Sequence, residues 1–127
     1  MVTVDLGLAG QKLTSVDVGF VVRLEFGAGC EVQVETQFTV RTSDGDHPVV
    51  PGADDEEAAA VLGTLAGRVV TVATADDSGG LRIDLVGGAR VLAEADPDFE
   101  AWTAAGPGGM KVVSLPGGGL SVWSSQA

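Results

Sequence analysis

The chain of 127 residues carries 18 acidic and 7 basic side chains, a net charge of −11. That balance argues against nucleic acid and anionic membrane as partners, because both need positive charge on the protein to displace counterions, and it admits a basic protein partner. A single cysteine, Cys30, and a single histidine, His47, rule out an internal disulfide and leave a Cys/His zinc site without ligands. The length fits one domain over 1–127. No charged start leads into an apolar run and no stretch approaches about eighteen apolar residues, so a cytoplasmic protein with no membrane segment is the expectation.

Strand signals open the chain. Val2, Val4, Leu6 and Leu8 share one parity in VTVDLGL. Phe20, Val22, Leu24 and Phe26 form one face of FVVRLEF, with Arg23 and Glu25 on the other. In CEVQVETQFTV, Cys30, Val32, Val34, Phe38 and Val40 alternate with Glu31, Gln33, Glu35, Gln37 and Thr39. Such alternation predicts a strand with one face on the core and one on solvent. The GAG at 27–29 reads as a tight hairpin between these two runs.

One helix is predicted in DDEEAAAVLGTL. Asp54 with Glu57 three residues on has capping-box spacing, and acids in the first turn suit the positive end of the helix dipole. Val61, Leu62 and Leu65 supply its apolar face, and Gly63 is a stop signal. Strand patterns then return in RVVTVATA, LRIDLV and ARVLAEA, ADPDFEAW turns the chain, and MKVVSL with LSVW forms a last hairpin.

The second half echoes the first. LAGQKLTSV (8–16) matches LAGRVVTVA (65–73), and RLEFGAGCEV (23–32) matches RIDLVGGARV (82–91). FTVRT (38–42) lies over FEAWT (99–103), and PVVPG (48–52) resembles KVVSLPG (111–117). The expectation is a mainly β protein with a pseudo-repeat over about 8–52 and 65–123. Its two antiparallel β-meanders pack as a sandwich or small barrel, with one short connecting helix.

Five features of the second half carry a resemblance: LAGR (Leu65–Arg68), EAW (Glu100–Trp102), GPGG (Gly106–Gly109), PGG (Pro116–Gly118) and Trp123. In these the chain resembles a family of small actinobacterial proteins classed as a domain of unknown function. Phe99 stands where that family carries Tyr before EAW. The resemblance implies a shared fold and brings no activity, cofactor or catalytic residue.

Candidate chemistry is sparse. The glycine-rich tail GPGGMKVVSLPGGGL lacks the Gly-Lys-Ser/Thr of a P-loop, and strands rather than helices follow its glycines. Pro51-Gly52, Pro107-Gly108 and Pro116-Gly117 spell type II turns, with proline fixing one φ and glycine taking the positive one. His47 between Asp46 and Pro48, with Asp44 nearby, has the makings of a general base but no nucleophile beside it. Cys30, in phase with Val32 and Val34, reads as a core residue, and Trp102 and Trp123 as core or interface anchors.

No catalytic residue, metal ligand or cofactor is assigned. The first functional expectation is a non-enzymatic protein-interaction module, such as an immunity- or antitoxin-like inhibitor of a basic partner. Its contact residues are Asp44, Asp46, Asp54, Asp55, Glu56, Glu57, Asp96, Asp98 and Glu100. The alternatives are a β-barrel or sandwich that binds a small apolar ligand, or an enzyme with an unrecognised site, either with an internal pocket lined by Val, Leu and Trp, and a structural module whose edge strands pair into a homodimer.

Overall fold

A computed structural model describes residues 3–123. Twelve strands form two six-stranded sheets. In chain order they are β1 (Thr3–Asp5), β2 (Leu13–Val18), β3 (Val22–Phe26), β4 (Glu31–Val34), β5 (Phe38–Thr42), β6 (Gly45–Val49), β7 (Val70–Asp76), β8 (Leu81–Leu85), β9 (Ala89–Ala93), β10 (Trp102–Ala105), β11 (Lys111–Ser114) and β12 (Leu120–Trp123). The helix α1 (Glu56–Gly63) stands between β6 and β7. The first sheet runs β1-β7-β8-β9-β5-β6 and the second β12-β11-β10-β4-β3-β2, with neighbours antiparallel throughout. Both sheets keep free edges, so the molecule is a sandwich and not a closed barrel.

Each sheet is composite. The meander β2-β3-β4 of the first half shares its sheet with β10 and β11 of the second half, and β7-β8-β9 shares its sheet with β5 and β6. The long alternation predicted over 30–40 is therefore two strands in different sheets, β4 and β5, joined by Glu35–Gln37. The pattern stays in phase across the crossing because Val34 and Phe38 both face the same interior. The second crossing, from β9 to β10, uses the acidic turn 94–101.

The strand orders and pairings of the two halves correspond. Val34 pairs with Trp102 as Ala93 pairs with Phe38, and a register shift near Leu13 in β2 is matched by one near Val70 in β7. The two LAG segments bond to each other. Leu13 N–H donates to the Arg68 carbonyl (2.9 Å) and Val70 N–H to the Gln11 carbonyl (2.8 Å). Gly67 N–H donates to the Leu13 carbonyl (2.7 Å) and Gly10 N–H to the Val70 carbonyl (2.8 Å). Each bond is the image of its partner when 10–13 is exchanged for 67–70. Matching β5 to β10 on this register sets Phe38 against Trp102, not against Phe99 as FTVRT over FEAWT implies.

Between the sheets lies one apolar cluster that includes Leu8, Leu13, Leu24, Val32, Val40, Leu62, Leu65, Ile83, Val91 and Trp102. The short helix packs against β6 and β2 and covers the open side of the sandwich between those edges, with Ala58 and Leu62 buried. Its cap lies one residue later than the sequence pattern implies. Asp55 accepts from Glu57 N–H (3.0 Å) and Ala58 N–H (3.2 Å), while Asp54 takes a left-handed φ of 54° in the turn before it. Gly52 and Gly117 hold the positive φ that their Pro-Gly turns require; the Pro107–Gly109 segment is instead a single 3-10 turn with its positive φ at Gly109. Val2 lies outside the described residues.

Candidate functional site

The strand directions divide the loops between two ends. At one end lie both crossings (35–37 and 94–101), the β2–β3 turn (19–21), the segment leading into α1 (50–55), the β7–β8 turn (77–80) and the β11–β12 turn (115–119). These loops hold Glu35, Asp54, Asp55, Asp77, Glu94, Asp96, Asp98 and Glu100, and none of the seven Lys and Arg residues. Glu56 and Glu57 follow in the first turn of the helix. The charge of −11 is thus polarised toward one end.

Of the candidate partner-binding residues, the structure gathers Asp54, Asp55, Glu56, Glu57, Asp96, Asp98 and Glu100 at this end. Asp44 and Asp46 sit in the β5–β6 hairpin at the opposite end, where Asp46 accepts from the Arg41 guanidinium at 2.8 Å. Two of the gathered acids are structural. Asp55 is the helix cap. Asp96 accepts from Asp98 N–H (2.8 Å), Phe99 N–H (3.2 Å) and the Thr36 hydroxyl (3.0 Å), which ties the two crossings together. The Asp98 N–H, with the Thr36 hydroxyl and Phe99 N–H, holds the Asp96 carboxyl below its ordinary pKa. Asp54, Glu56, Glu57, Asp98 and Glu100 are exposed.

The feature that sequence patterning missed is Phe20. Its parity with Val22 and Leu24 predicts a core position, yet it is 91% exposed at the tip of the β2–β3 turn. A crevice of about 290 Å³ is lined by Val18, Phe20, Gly52 and Ala59 on its apolar side and by Asp54, Asp55 and Glu56 on the other. Gly52 N–H donates to the Gly19 carbonyl at 2.8 Å and so holds the turn against the approach to the helix. A side chain at position 52 would meet the Phe20 ring at 3.4 Å. Phe99, 69% exposed, lies on the same end beside Glu35 and Glu100. The signal for Phe20 was present in the repeat, since DDSGG of the second half, an unmistakable turn, falls opposite VGF when 16 is set against 73 and 23 against 82.

The pseudo-equivalent place in the second half is closed. There Gly79 is buried, and its carbonyl accepts from Trp102 Nε1–H (2.9 Å) and from the Ser114 hydroxyl (2.8 Å). Phe38 and Val49 occupy the corresponding positions in the first half, and neither has a polar group to draw its turn inward. The two turns thus differ in kind: one is tied into the core and the other projects an aromatic ring into solvent.

Other candidate chemistry is not assembled. The half-buried His47 lies within hydrogen-bonding distance of the Thr42 hydroxyl (3.1 Å), while Asp46, the next residue on the strand, is turned to Arg41 on the other face. Cys30 is buried, and among the described residues no three His, Cys, Asp or Glu side chains converge as metal ligands. Val, Leu and Trp side chains are buried between the sheets, and a broad depression is lined by Thr74, Asp76, Arg82 and Glu94. No helix among the described residues is long and apolar enough to cross a membrane.

Fold and surface together define a β-sandwich of two interleaved halves with an acidic loop end bearing exposed aromatic rings. The chain belongs to the family described as Family of unknown function (DUF6188), whose model matches residues 4–124. No curated protein and no solved structure matches it.

Proposed function

We propose that the protein is a non-enzymatic interaction module whose acidic end receives a basic, apolar-anchored segment of a protein partner. The concrete form is an inhibitor of a basic protein, of the immunity or antitoxin kind. The exposed Phe20 ring in its acid-rimmed crevice carries the reading. An aromatic side chain left in water on a domain that has an apolar core of its own is the kind of residue that anchors an interface. Carboxylates around it steer a cationic partner and set its orientation, while the burial of the ring supplies affinity.

The experiment compares wild type with Phe20→Ser and with Asp54→Asn/Glu56→Gln, each immobilised and exposed to lysate from the native cell at low and at high salt. A basic protein retained in stoichiometric amount by wild type, lost from the Phe20 variant and weakened by high salt and by the charge variant, is expected. Retention that is indifferent to Phe20 and to salt, or no such protein, refutes the reading.

A further inference from the structure

Four strands lie at sheet edges: β1 and β6 in one sheet, β12 and β2 in the other. Exposed edges invite pairing with another chain, and proteins blunt them with brevity, charge, proline, bulges or a covering element. Three of these edges carry such devices. β1 has three residues and ends in Asp5. β6 contains Asp46 and Pro48 and abuts α1. β2 has an irregular register near Leu13, carries Asp17 and also abuts α1. β12, with the sequence Leu-Ser-Val-Trp, has no charge, no proline and no irregularity, and its Val122 and Trp123 are each 50% exposed.

The backbone pattern says which groups of β12 are unpaired. Leu115 N–H donates to the Gly119 carbonyl at the turn, so the exchanging pairs along β11–β12 continue with Val113–Ser121 and Lys111–Trp123. Alternation then turns the N–H and C=O of Leu120 and Val122 outward. Their side chains share the inner face with Val112 and Ser114, where Leu120 packs on the core and Val122 is left half open.

We infer that β12 pairs with β12 of a second copy of this chain, antiparallel about a two-fold axis through Ser121, joining the two second sheets into one. In this register Leu120 exchanges backbone bonds with Val122 of the other copy and Val122 with its Leu120. The pairing is self-complementary, as a closed two-fold dimer requires. It also sets apolar side chains against each other on the inner face. Charge selects this edge for self-association. Two molecules of charge −11 repel, and β10, β11 and β12 hold one charged residue between them, Lys111, whose Nζ lies 5.8 Å from the centre of the Trp123 ring. Antiparallel pairing points the two acidic ends in opposite directions and leaves both Phe20 crevices open. The inference is independent of the proposed function, because Phe20 takes no part in it.

Sedimentation at micromolar concentration tests it, with three variants. Wild type is expected as a dimer. Val122→Lys, which places a charge where the other edges carry theirs, is expected to weaken association at least tenfold. Phe20→Ser is expected to leave it unchanged. In the proposed register Ser121 faces Ser121 of the other copy as a non-hydrogen-bonded pair, about 4.5 Å apart at Cα, within disulfide reach. Ser121→Cys is therefore expected to form a covalent dimer under mild oxidation, with the native Cys30 buried and inert. This crosslink is read even if Val122→Lys fails to fold. A wild type that stays monomeric at high micromolar concentration overturns the inference. So does a dimer in which Ser121→Cys does not crosslink.

Discussion

The closed turn of the second half makes a quantitative prediction. Trp102 is fully buried, and its indole N–H provides one of the two hydrogen bonds to the Gly79 carbonyl, the Ser114 hydroxyl providing the other. Trp102→Phe removes one bond but leaves the carbonyl satisfied by Ser114. The lost bond costs about 1 kcal/mol, and the smaller ring with its residual space adds about 1–2 kcal/mol. Ser114→Ala, which leaves the indole bond intact, costs about 1 kcal/mol. The double variant strands a buried carbonyl with no partner, a penalty of about 1–3 kcal/mol that neither single variant incurs. The double loss therefore exceeds the sum of the single losses by at least about 1 kcal/mol. Urea unfolding followed by circular dichroism, at unchanged m-value, gives the three differences and closes the cycle. Additivity within about 0.5 kcal/mol would falsify the shared-acceptor account.

Three further outcomes follow from the same geometry. Gly79→Ala and Gly67→Ala both force a side chain into a left-handed backbone (φ 97° and 89°), but the new methyl at 79 meets Ala95 Cβ at 2.9 Å and the Gly119 carbonyl at 3.2 Å while that at 67 meets nothing. Thermal melts should show Gly67→Ala losing about 1 kcal/mol and Gly79→Ala losing at least twice that; equal losses refute the packing around Gly79. Asp55→Ala, which deprives two helix N–H groups of their acceptor, should cost about 1 kcal/mol and Asp54→Ala much less; the reverse order in urea titrations would move the cap back to Asp54. Asp84 is partly buried, which opposes ionisation, but the Arg82 and Arg90 guanidinium groups outweigh this and hold its pKa below the ordinary aspartate range near about 4. A depressed folded-state pKa contributes stability above the unfolded value, which is lost as pH falls through the folded one. The stability gap between wild type and Asp84→Asn should therefore be flat above about pH 5 and shrink below about pH 4; a gap independent of pH down to about 2 removes the ion pairs from the account.

Much of the fold was legible along the chain because strands alternate with period two, and Val22, Leu24, Val32, Val34, Ile83 and Val91 obey that period to full burial. The LAG pair was legible too, because Leu8 and Leu65 fill equivalent core positions and Gly10 and Gly67 take nearly the same positive φ, 87° and 89°. The site was less legible. Phe20 continues the parity of β3, and parity alone does not tell where a strand stops and a turn begins. Asp44 and Asp54 are near neighbours in sequence and lie at opposite ends of the molecule, because a full strand, β6, runs between them.

By itself, the sequence determined the strand content, the short helix with acids in its first turn and the excess negative charge. These are local or compositional properties, set by side-chain periodicity, backbone preferences and residue counts. Only the tertiary structure decided that each half contributes strands to both sheets. An alternating run such as 30–40 reads the same whether it stays in one sheet or crosses to the next, since either path keeps the same side chains toward the core. That crossing brings the acids of 94–100 to the same end as those of 54–57. It also sets Phe38 and Val49, which have no polar group to draw the Phe20 turn inward, at the positions from which Trp102 and Ser114 tie down the counterpart turn.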